Sequence, residues 1–68
     1  MKLKTIETIV KPFMAQGKKP DLVIHTDNHE YDLGIYDYLF YKNKEVIAWT
    51  YIPGDALENG KDKIIIYI

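Results

Sequence analysis

The sequence predicts an α+β fold: one N-terminal amphipathic helix packed on a mainly antiparallel β-sheet of about four strands, with a short helical turn before the last strand. Two observations predict it. Apolar residues recur at three- and four-residue steps only near the N-terminus, and from Leu22 onward the pattern turns to period two and to β-branched and aromatic residues.

Leu3, Ile6, Ile9, Val10 and Phe13 make the helical stripe, with Lys4, Glu7, Thr8 and Lys11 on the opposite side. Pro12 sits inside this pattern, where it removes a backbone donor and crowds the preceding turn. A kink there, or a restart with Pro12 in a first turn, is the expectation. Gly17, followed by Lys18, Lys19 and Pro20, marks the stop.

The segment from Val23 to Asp32 carries two histidines among acidic and amide residues, and admits two readings. As one continuous strand it would project His25, Asp27 and His29 from a single face as metal ligands. As a hairpin with Asp27-Asn28 at its tip, it pairs Thr26 with His29 and His25 with Glu30, which sends the imidazoles to opposite faces. The hairpin sorts Leu22, Ile24, Tyr31 and Leu33 onto one face and His25, Glu30 and Asp32 onto the other, Val23 being the only exception. The continuous strand achieves no such sorting, so the hairpin is preferred.

A second hairpin is expected between DYLFY and VIAWTYI, turning at Asn43-Lys44 and pairing Lys42 with Glu45. Pro53-Gly54 ends its second strand, Asp55 to Glu58 has capping-box spacing for one helical turn, and Asn59-Gly60 turns the chain into a last strand, KIIIYI. No repeat, linker or low-complexity tract interrupts this order, and residues 1–68 read as a single small domain.

In that register Tyr36, Tyr38, Phe40, Ile47, Trp49 and Tyr51 share one sheet face, while Ile35, Leu39, Tyr41, Val46, Ala48, Thr50 and Ile52 share the other. KIIIYI is likewise apolar on both sides. One short helix covers one face, and its aliphatic stripe matches the aliphatic side. The aromatic side is then left for another molecule, unless a bulge at Gly34 turns it inward.

Composition narrows the function classes. The chain has 47% hydrophobic residues and a formal charge of −1, as a globular protein does. It contains no cysteine, no serine and no arginine, which removes disulfides, thiolate ligands, the common acyl-transfer nucleophiles and the bidentate fork used on phosphate and guanine. A cytoplasmic location with no membrane span and no cofactor is expected.

The expected function is a small non-catalytic protein-interaction module, accessory or regulatory, using Tyr36, Tyr38, Phe40, Trp49 and Tyr51 for homodimerisation or for binding another protein. Two alternatives remain open. The same rings could stack single-stranded nucleic acid, against which the scarcity of nearby lysines and the presence of Asp32 and Asp37 argue. A metal-dependent or acid-base site could form around His25, Asp27 and His29 with Glu30 and Asp32, though one helix and a sheet leave little room for a cleft.

Overall fold

A computed structural model describes residues 1–57 and 60–68. The expected Asp55–Glu58 capping box and Asn59-Gly60 turn fall partly outside the described residues. The chain opens with a 3-10 turn at Leu3–Thr5 and a helix α1 at Glu7–Ala15. Strands β1 (Asp21–Thr26) and β2 (His29–Asp32) follow, then a helix α2 (Ile35–Tyr41), strand β3 (Ala48–Ile52), a 3-10 turn at Gly54–Ala56 and strand β4 (Lys63–Tyr67). The architecture is α+β, with a four-stranded mixed sheet in the order β2-β1-β4-β3.

The N-terminal stripe forms as its spacing dictates. Leu3, Ile6 and Ile9 are buried, and Val10 and Phe13 pack partly buried against the same cluster. Pro12 neither breaks nor restarts α1. It lies inside the helix at an exposed position, so the carbonyl one turn earlier, at exposed Thr8, loses its usual donor where water is at hand. Gly17 ends the helix with φ +80, its N–H donating to the Met14 carbonyl at 2.9 Å and that of Lys18 to the Phe13 carbonyl at 3.1 Å. This is the paired closure that favours glycine just past a helix.

The first hairpin forms in the expected register, with Thr26 opposite His29 and His25 opposite Glu30. Its tip residues Asp27 and Asn28 have φ 50 and φ 64, the two consecutive left-handed conformations that a tight two-residue turn demands. A β-branched residue at Asn28 meets the full left-handed penalty. Asn28→Val is expected to lower stability by about 1–2 kcal/mol, measured by urea unfolding, whereas Asn28→Gly is expected to leave it equal or higher.

The second expected hairpin does not form. Residues 35–41 are helix, not strand, and Glu45 pairs in an isolated bridge with Lys2 instead of with Lys42. Three observations favour the helix. The Gly34 N–H donates to Asp37 Oδ2 at 3.2 Å, which holds the first turn. Tyr38 and Tyr41, three residues apart, turn toward the body of the protein, Tyr41 packing against the core. The N-terminal segment lines the chain beyond the helix, with the Leu3 N–H on the Lys44 carbonyl and the Lys4 N–H on the Lys42 carbonyl.

The tertiary reason is partner choice. β3 pairs antiparallel with β4, placing Trp49 opposite Ile66 and Tyr51 opposite Ile64, and β4 pairs parallel with β1. β2 and β3 thus stand at opposite edges, about 14 Å apart across three strand spacings. A direct hairpin cannot bridge them, and α2 lies in the crossover.

This order also explains why LVI and KIIIYI are apolar at successive positions. Both belong to the two central, parallel strands, which read as continuous hydrophobic runs. Ile24, Ile64 and Ile66 are fully buried with Leu3 beneath the helical layer. On the other face Val23 and Ile65 are 6% exposed. They lie in one row between Asp32 and Thr50, beside the Lys63–Glu30 ion pair at 3.8 Å and the His25 and Tyr67 rings at 5.0 Å.

Asp62, just before β4, ties β3 to the 3-10 turn. It accepts from the Tyr51 hydroxyl at 2.6 Å and from the Gly54 N–H at 2.7 Å. The Tyr51 hydroxyl and then the Gly54 amide hold the Asp62 carboxyl below its ordinary value of 3.8. The Asp62 carboxylate and then partial burial raise the Tyr51 hydroxyl above 10.0. The depressed carboxyl stabilises the fold above its unfolded pKa, and that contribution is lost as pH falls through its folded one. The raised phenol stabilises below its unfolded pKa and loses the contribution as pH rises through its folded one. Asp62→Asn is therefore expected to melt below wild type at neutral pH, and the two curves should converge in acid below pH 3.8. A gap that stays constant into acid would refute this linkage.

Candidate interaction surface

The five aromatic residues expected to share a sheet face do not share one. Tyr36, Tyr38 and Phe40 lie on α2, and Trp49 and Tyr51 on β3. The helix also packs on the opposite side of the sheet from the one expected: α1 lies over the face that carries Trp49 and Tyr51. Phe13 stacks on Tyr51 at 4.5 Å between centroids and meets Trp49 edge-on at 6.2 Å. The Lys18 ammonium lies 5.2 Å from the Tyr51 centroid. The physical reason is that β3 pairs with β4, so the face of β3 in register with Ile64 and Ile66 must join their core.

What the structure exposes instead is the outer side of α2. None of its seven residues is buried. Ile35 is 71% exposed, Tyr36 84%, Leu39 55% and Phe40 79%. Ile35 and Leu39, like Tyr36 and Phe40, are four apart and adjacent on the helix surface, so the four make one apolar stripe. On the inner side Tyr38 is half-buried, its Oη 3.5 Å from the Lys4 carbonyl oxygen. The helix thus turns Tyr38 and Tyr41 inward and much of its apolar surface outward, opposite to the usual arrangement of a surface helix.

Tyr36 and Phe40 therefore remain in the candidate surface with Ile35 and Leu39 added, Trp49 is half open beside Phe13, and Tyr38 and Tyr51 face their own chain. Sequence reasoning missed Ile35 and Leu39 because strand alternation assigned them to the opposite face from Tyr36 and Phe40. Read with a helical period, the same seven letters place all four together.

The histidine segment is a turn. His25 and His29 point to opposite faces, His25 toward Tyr67 and His29 within 6.1 Å of Tyr31. Among the described residues no group of three or more His, Cys, Asp or Glu is placed to hold a metal ion. A hollow of about 500 Å³ at this end of the sheet is lined by His25, Thr26, Asp27, Asn28, Ile47 and Tyr67 among others. Glu30 and Asp32 do not line it, so the expected acid-base group is not assembled there.

Among the described residues no helix is long and apolar enough to cross a membrane. No family model, curated protein or solved structure matches the chain.

Proposed function

We propose that the protein acts by contact, as a small non-catalytic interaction module of accessory or regulatory type, and that the outer stripe of α2 is its docking surface for a protein partner. The observation that carries this reading is the exposure of Ile35, Tyr36, Leu39 and Phe40 on a helix with no buried residue. Together they present on the order of 600 Å² of mostly apolar side chain. This reaches the upper end of what a monomer ordinarily leaves open and approaches the roughly 800 Å² that each partner contributes to a standard interface. Two aromatic anchors flanked by aliphatic residues are the composition of an interface centre.

The rival use of aromatic rings, stacking on single-stranded nucleic acid, calls for an open sheet platform along a basic groove. Here Tyr51 stacks against Phe13 and the α2 rings lie on a helix that carries Asp37, so support for that reading weakens.

The test is a variant that erases the stripe and keeps the helix. Tyr36→Glu combined with Phe40→Lys places a favourable charge pair at four-residue spacing and leaves net charge unchanged. Its stability is expected to stay within about 0.5 kcal/mol of wild type, as surface substitutions do. Cross-linking in cells that make the protein is expected to capture a defined species with wild type and to lose it with the variant. An identical set of captured species from both, or none from wild type, would sink the proposal.

A further inference from the structure

The two edges of the sheet differ in kind. β2 is four residues long, all exposed, and carries His29, Glu30 and Asp32, the charged and short edge that deters further pairing. β3, at the other edge, is five residues, Ala48-Trp49-Thr50-Tyr51-Ile52, without one charge. Ala48, Trp49 and Thr50 are exposed, and proline enters only at Pro53, after the strand has ended. A strand has hydrogen-bonding groups on both sides, and β4 occupies one side of β3. From this asymmetry we infer that β3 pairs edge to edge with β3 of a second copy, antiparallel about a two-fold axis at Thr50, joining two sheets into one of eight strands.

The register follows from the side chains. Cross-strand partners must share a face, so the axis passes through a residue and not between two. Centring on Thr50 pairs all five residues and leaves both prolines outside; centring on Trp49 or Tyr51 leaves one end of the strand without its partner. Under this axis Trp49 meets Tyr51 of the partner subunit twice, on the face where Phe13 already packs against both ring types. Aromatic pairs of this sort are among the favourable cross-strand combinations. Thr50 meets its own copy and Ala48 meets Ile52 on the other face. No like charges oppose each other within the paired segment, and a net charge of −1 per chain opposes association little. Trp49, 43% exposed in the single chain, becomes covered. This inference does not depend on α2, whose stripe is a separate surface.

Thr50 is exposed and sits on the axis, which makes it the position to test. Light scattering with size exclusion over a concentration series is expected to show a dimer, with Trp49 emission shifting to shorter wavelength as it forms. Thr50→Glu places two carboxylates opposite each other and should weaken the dimer about a hundredfold. Mixing it with Thr50→Lys should restore a mixed dimer. Because the chain has no cysteine, Thr50→Cys is a clean probe: cross-strand neighbours are within disulfide reach, so it should oxidise to a covalent dimer much faster than Asn28→Cys at the distant hairpin tip. A wild type that stays monomeric, a Thr50→Glu dimer of unchanged affinity, or equal oxidation of the two cysteine variants would each overturn the inference. If instead the dimer survives Thr50→Glu and dissociates in the Tyr36→Glu, Phe40→Lys variant, α2 carries self-association, and the edge pairing is wrong while the α2 reading stands.

Discussion

Ile66→Ala is expected to lower stability by about 4 kcal/mol. A chain of this length has a total margin of roughly 3–10 kcal/mol, so the loss removes a large part of it. The size of the effect follows from position. Ile66 is fully buried in a central strand, pairs with Ile24 on one side and Trp49 on the other, and belongs to the cluster under Leu3, Ile6 and Ile9. Removing its branched side chain leaves a void among residues anchored in a sheet, where neighbouring backbone cannot close in. Urea unfolding followed by circular dichroism measures the loss. Ile35→Ala, the same chemistry at a 71% exposed position, is expected to change stability by less than about 0.5 kcal/mol. Similar losses at the two sites would contradict the assignment of core and surface.

Gly54→Ala is the second large effect, expected at about 3 kcal/mol. Gly54 is buried, and a Cβ built on it collides with the Gly60 carbonyl group and comes within 3.1 Å of the Lys61 carbonyl carbon. These are backbone atoms, which cannot rotate out of the way as a side chain can. The shift they force also disturbs the Gly54 N–H bond to Asp62 at 2.7 Å, and through Asp62 the bond from Tyr51. Gly17→Ala supplies the contrast, because nothing lies within 4 Å of a Cβ there and the only penalty is its φ of +80. Its expected loss is about 1 kcal/mol. If thermal unfolding ranks the two glycines the other way, close approach at Gly54 is not what holds this corner.

The elements legible in the sequence were those whose evidence is local. The stripe from Leu3 to Phe13 repeats at helical spacing with polar residues between, and only one structure satisfies that sorting. Asp27-Asn28 supplies two residues that tolerate left-handed backbone, and its flanks sort into a core face and a wet face only in the hairpin register. IYDYLFY offers no such contrast. Apolar at six of its seven positions, it fits a strand or a helix equally, and its tyrosines and phenylalanine bias a local reading toward strand. The expected shared sheet face does not form for the same reason: Tyr36 and Phe40 were identified from their residue types, but their neighbours depend on the period.

Local periodicity and turn chemistry thus determined the first helix, its stop at Gly17, the first hairpin and its register, and the strand character of AWTYI and KIIIY. Only the tertiary structure decided that KIIIY lies parallel to the first strand at the sheet centre and takes the place beside β3 that residues 35–41 would have filled. That pairing joins Asp21 to Lys63 across most of the chain, and its stability comes from burying Ile24, Ile64 and Ile66 together, a gain no short window contains. With β4 seated there, the place beside β3 that the expected hairpin needs is taken. Residues 35–41 close their hydrogen bonds within themselves as a helix and leave Ile35, Tyr36, Leu39 and Phe40 facing outward.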